Sequence, residues 1–141
     1  YVTTPINKVT TRFSSELGFR IGEEDVSSLN FFLGGYGNKT INNFRPFYGY
    51  DFFSLSANSY IKGLIEIDYN FYTQNHLILS ANYANVQDDI LSTGEWFSSP
   101  EFSGYAIGYG CKTIFGPIDV KYSYSPETGE SHWFFSLGYW F

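Results

Sequence analysis

Between residues 59 and 71 the sequence alternates in character, with Leu64 the exception on the polar side. Ile61, Gly63, Ile65, Ile67, Tyr69 and Phe71 fall on one side of the alternation, and Lys62, Glu66, Asp68 and Asn70 on the other. Successive strand residues point to opposite faces, so the stretch is a strand with one apolar face and one charged face. The chain closes the same way. From Ser131 to Phe141 the odd positions read Trp133, Phe135, Leu137, Tyr139 and Phe141, and the even ones His132, Phe134, Ser136, Gly138 and Trp140. An apolar face bracketed by aromatic residues, on a strand of about 10 residues, is what a membrane-spanning barrel strand requires.

The remaining strands follow from the same period. Residues 9–22 place Val9, Phe13, Leu17, Phe19 and Ile21 opposite Arg12, Glu16 and Arg20. A polar break at residues 22–25 leads to an expected second strand from Leu29 to about Gly35. A long irregular stretch follows to about Ser56, where Pro46 argues against a central strand because proline has no ladder donor. Further strands are expected at 59–71, 76–85, 102–114, 118–125 and 131–141. Residues 72–75 and 115–117 form tight turns, and residues 86–101 a second long loop.

Two regularities set the fold class. Arg12, Glu16, Arg20, Lys62, Glu66, Asp68, Lys112, Asp119 and Lys121 all lie on the face opposite the apolar one. A lysine or arginine facing lipid at mid-depth costs about 2–4 kcal/mol, so these mixed charges are expected to line a lumen. A soluble sandwich also keeps charges off its core, and the connections separate the two. With Phe141 at the periplasmic side, every tight turn is periplasmic and every long loop extracellular, as in outer-membrane barrels. The expected fold is all-β, an antiparallel transmembrane barrel domain over residues 1–141 with about seven strands. Single-chain bacterial barrels have even strand numbers, and an unpaired edge cannot stand in lipid. The chain is therefore expected to be the C-terminal part of a larger barrel, partnered by the bilayer and by remaining strands or a partner chain. A compact eight-stranded barrel with a structural or adhesive role is the alternative.

Composition agrees. The chain is 22% aromatic and 43% hydrophobic, with thirteen Tyr, fifteen Phe and three Trp. Its mean hydropathy is nevertheless slightly negative. Alternating strands produce both properties at once, and the aromatics suit interfacial girdles. The net charge of −6, without a basic cluster, argues against a nucleic-acid partner. A single cysteine, Cys111, excludes an intrachain disulfide and any cysteine-based metal site. The start of the chain carries no signal peptide, which fits a mature, trimmed or partial sequence.

From Phe31-Phe32-Leu33-Gly34-Gly35 onward the sequence resembles the C-terminal half of the bacterial surface antigen superfamily, which includes BamA and the TpsB transporters. In that family a long loop folds back into the lumen and carries an Arg-Gly-Phe/Tyr tip. The resemblance places this loop at Pro46, Phe47, Tyr48, Gly49 and Tyr50, with Tyr48 where arginine is expected. The wording of this segment, of Gly116 to Ser123, and of Gly138-Tyr139-Trp140-Phe141 looks most like barrels attached behind a patatin-like phospholipase domain. Such barrels have sixteen strands. The resemblance implies a Gram-negative outer-membrane location and a role in anchoring or translocating an N-terminal patatin-like passenger or another protein. It also makes Trp133, Phe135, Leu137, Gly138, Tyr139 and Phe141 a terminal strand similar to those read by the barrel assembly machinery.

Enzyme chemistry is not visible in the chain itself. A patatin-like hydrolase needs a Gly-x-Ser-x-Gly elbow, and none occurs. His76 and His132 lack the carboxylate spacing of a metal site, and Gly34-Gly35-Tyr36-Gly37 precedes no helix that could cradle phosphate. Glu66 and Asp68 share a face beside Lys62, which reads as an ion network. No cofactor is expected. Trp96 and Phe97 in the second long loop are candidates for packing across the barrel mouth or for contact with a partner.

Overall fold

A computed structural model describes residues 1–21, 30–37, 42–87, 94 and 99–138. The frame is a seven-stranded sheet of β1 (Val2–Ile6), β2 (Val9–Phe19), β6 (Ser59–Tyr72), β7 (Asn75–Gln87), β8 (Phe102–Thr113), β9 (Gly116–Tyr124) and β10 (Ser131–Leu137), paired in that order. Each neighbouring pair is antiparallel. A second sheet holds β3 (Phe31–Leu33) between β4 (Phe44–Arg45) and β5 (Leu55–Ala57). Among the described residues β1 and β10 are free edges of the large sheet, and there is no helix.

The strand expected at 29–35 is not part of the large sheet. Phe31 and Leu33 pair with Ala57 and Leu55 on one side, while Phe32 and Leu33 pair with Phe44 and Arg45 on the other. The physical reason lies in its side chains. Phe31-Phe32-Leu33 is apolar on both faces, so it belongs where both faces are covered. Phe31 packs edge-on against Tyr60, and Phe32 against Phe53. The seventh strand of the frame is β1, which the alternation did not reveal because it is short and contains Pro5. Its pairing with β2 shifts register between Thr3 and Ile6, as befits a proline at a sheet edge.

This exchange corrects the arrangement of connections. Phe19 pairs with Ser59, so β2 ends where β6 begins and residues 20–58 form one excursion from a single end of the sheet. The expected short turn at 22–25 lies outside the described residues and does not join two wall strands. Tight turns at Asn7-Lys8, Thr73-Gln74 and Ile114-Phe115 gather at the opposite end. Long connections and tight turns therefore alternate throughout. Lys8 and Gln74 take positive φ in these turns (74° and 64°).

Burial is inverted relative to a soluble sheet. Lys62, Ser80, Asn82, Lys121 and Ser123 are buried, the last fully. Phe13, Leu17, Ile65, Ile67, Leu79 and Ile107 are exposed on the other side, and Trp133 and Phe135 are 73% and 72% exposed. What covers the polar face is the described part of this excursion, residues 31–37 and 42–57, packed against β6 to β9.

Candidate functional site: the inserted loop and its polar wall

Residues 46–50 sit at the centre of this covering. Gly34 begins the fold-back, its N–H donating to Arg45 O (3.1 Å), and Gly35 N–H donates to Tyr50 O (2.8 Å). A Cβ on Gly34 would lie 1.9 Å from Asp51 O, so the close approach of these two chain segments requires glycine. Phe47, 1% exposed, fills a cluster with Leu33, Tyr50, Tyr60 and Ala84.

The wall binds the tip through its backbone. Tyr48 N–H donates to Asn82 Oδ1 (3.0 Å), and Asn82 Nδ2 donates back to Tyr48 O (3.4 Å). Asn82 thus satisfies both main-chain groups of one residue, as a neighbouring strand would. The Tyr48 carbonyl rests over Gly104 of β8, where a Cβ would come within 1.7 Å of it. Gly49 turns the tip at φ 86°, and a Cβ there would stand 2.8 Å from Tyr124 O.

Charge fixes the side chains. Lys121 Nζ donates to Tyr48 Oη (3.0 Å) and pairs with Glu66 at 3.2 Å. The ammonium also lies over the Tyr48 ring (4.8 Å) and the Tyr36 ring (5.5 Å). Its stem crosses Gly108, whose missing side chain leaves the space. Glu66 takes a second cation, Arg12, at 2.9 Å and the Ser80 hydroxyl at 2.9 Å. A second group holds the approach to the tip. Lys62 donates to Pro46 O (3.1 Å) and pairs with Glu16 (3.3 Å), which Arg45 also meets at 3.5 Å. Arg45 Nε donates to Tyr60 Oη (2.8 Å).

At the long-loop end, Tyr50 Oη donates to Glu127 (3.2 Å), and the Ser103 and Ser125 hydroxyls donate to the same carboxylate (2.6 and 2.9 Å). Burial opposes the Glu127 charge, but hydrogen bonds from Ser103, its own backbone and Ser125 outweigh it. They hold the carboxyl below its ordinary range. Burial pushes the Tyr36 phenol up to about 12 against the pull of Lys121.

The other expected lumen charges are spread along the same face. Asp68 meets His76 at 2.8 Å near the tight-turn end. Asp119 lies beside Gly110, Lys112 is exposed next to the turn, and Arg20 donates to Asn30 (3.3 Å) just past β2. Of the terminal strand, Trp133, Phe135 and Leu137 share the exposed apolar side, Gly138 follows at φ 99°, and Tyr139 and Phe141 lie outside the described residues. Trp96 and Phe97 lie outside them too. Asn82, Gly104, Ser103, Ser125 and Glu127 were not anticipated as site residues. The one sequence signal for them was the run of Gly104, Gly108 and Gly110 on one face of β8.

The family model of the OMP85 superfamily matches residues 1–141. The chain belongs to the OMP85 superfamily. The resemblance to surface antigen barrels therefore holds at the superfamily level, and OMP85 proteins are outer-membrane β-barrel proteins of Gram-negative bacteria. No curated protein matches the chain. In this OMP85 chain the cation at the loop tip comes from the wall, as Lys121. Tyr48 meets it with a hydroxyl where the resemblance led us to expect arginine.

Proposed function

We propose that the seven-stranded sheet is a wall of an outer-membrane barrel, with its apolar face in lipid and its polar face lining a lumen partly filled by residues 31–37 and 42–57. The wall serves as membrane anchor and conduit for a passenger polypeptide, a patatin-like domain or another protein, and is not itself catalytic. The observation that carries the reading is the inversion of burial. Apolar side chains such as Ile65, Ile107 and Trp133 stand exposed while Lys62, Asn82 and Lys121 are buried. In water that arrangement loses the hydrophobic driving force, and in a bilayer it gains it. The free edges at β1 and β10 need partner strands in lipid.

The test uses the protein purified from outer membranes without trimming. Resistance to alkaline extraction, heat-modifiable migration and a mass several times 16.1 kDa are expected. Recovery in the soluble fraction would overturn the reading, and a mass near 16.1 kDa would leave a small stand-alone barrel. Ester hydrolysis by the full-length protein would identify the passenger as a lipase, and its absence would favour another cargo.

A further inference from the structure

The contacts of residues 46–50 have the form of a receptor holding a peptide. The wall addresses the backbone first: Asn82 takes both main-chain groups of Tyr48, and Lys62 takes the carbonyl of Pro46. Gly104 removes the side chain that would block that backbone. Specificity comes next. The phenol of Tyr48 ends on Lys121 and that of Tyr50 on Glu127, two groups of opposite charge that each suit a hydroxyl. The residue between them must be glycine, because Tyr124 O closes the space. Side-chain hydrogen bonds to the backbone hold the turn, and the two phenol sites on either side of the glycine select its sequence.

We propose that the face formed by β7, β8 and β9 is a binding site for a turned polypeptide segment of aromatic–tyrosine–glycine–tyrosine character. Residues 47–50 occupy it as an internal ligand, and a matching segment of a second polypeptide displaces them. The inference rests on the reading of this face as a lumen wall and names the chemistry that the lumen recognises. A tethered segment acts at an effective concentration on the order of millimolar, so the internal ligand keeps the site filled against weak competitors. A cargo segment that makes the same contacts and is itself presented in the lumen competes on equal terms.

The test uses the full-length protein in detergent micelles and a fluorescein-labelled peptide of residues 44–52, with anisotropy as readout. A Tyr48→Ala variant weakens the internal ligand, and its heat-modifiable migration reports folding. Saturable binding to this variant, weaker in the parent by about tenfold or more, is expected. Replacing the peptide glycine by alanine, or adding Asn82→Ala to the wall, should each weaken binding by about tenfold. A folded variant that shows no saturable binding, or that binds the alanine peptide equally, overturns the proposal. If the variant does not fold, the parent is exposed to a photo-crosslinking form of the peptide at millimolar concentration. Crosslinks on the polar face of β6 to β9 support the site, and crosslinks elsewhere or none overturn it. Failure of peptide binding in a membrane-embedded, heat-modifiable protein sinks this inference alone. Peptide binding by a protein recovered as soluble would sink the barrel reading instead.

Discussion

Single atoms decide how the tip is seated. Gly104→Ala places a methyl group where the Tyr48 carbonyl now rests, so the tip must lift. We expect a cost of about 1–3 kcal/mol, the usual penalty of overpacking, and faster proteolysis after Phe47 and Tyr48, read by limited chymotrypsin digestion. Lys121 and Glu66 are a buried pair with side-chain exposures of 6% and 13%. Lys121→Met alone strands a carboxylate that still has Arg12, so the loss should be near the lower end of the 3–5 kcal/mol typical of broken buried pairs, about 3 kcal/mol. Adding Glu66→Gln should recover part of it, and a double-mutant cycle of unfolding midpoints measures the coupling. Glu127 adds a pH dependence through the hydrogen bonds it accepts from Ser103, its own backbone and Ser125. The folded carboxyl lies below its unfolded value, so its stabilisation is fully present above the ordinary carboxylate range. It is lost as pH falls through the depressed folded value. Melting temperature should drop over that acidic window, and Glu127→Gln should remove this component of the slope.

At the scale of elements, the wall and the inserted segment answer differently to the same substitution. Ile65→Arg faces the apolar side mid-strand and should cost about 2–4 kcal/mol in lipid vesicles. Phe53→Arg, on the inserted segment and already 60% exposed, should cost roughly 1 kcal/mol or less, the worth of its ring contacts with Phe32 and Phe44. Denaturant titration of the two variants in the same vesicles measures the difference. The contrast also explains what the sequence made legible. Wall strands announce themselves because their two faces meet different surroundings, and every long one was visible as alternation. The strand β3 misled because its surroundings are alike on both sides, so period two carries no information there. The strand β1 was hidden by Pro5, which removes the ladder donor that makes a stretch look like a strand. The tip contacts were illegible for another reason. Asn82 and Tyr48 are joined across the fold, and nothing in the local wording of β7 distinguishes Asn82 from Ser80 beside it on the same face.

For the molecule as a whole, the division between a continuous wall and a single excursion sets the order in which contacts can form. The strands β6 to β10 follow one another in the chain, and two of their four connections are two-residue turns. The pairing of β2 with β6 must instead close residues 20–58, a slower step because loop closure precedes any reward from the pairing. The tip at Tyr48 has its partners on β7, β8 and β9, all later in the chain than itself. A chain emerging from its N-terminus therefore delivers the ligand before the receptor. The meander should assemble around residues 46–50, while their later exchange for a competing segment needs only the tip contacts to break and leaves the wall pairing intact. Refolding of Gly104→Ala into vesicles should keep the early hairpin phase and slow the later one, and stopped-flow tryptophan fluorescence would separate the two.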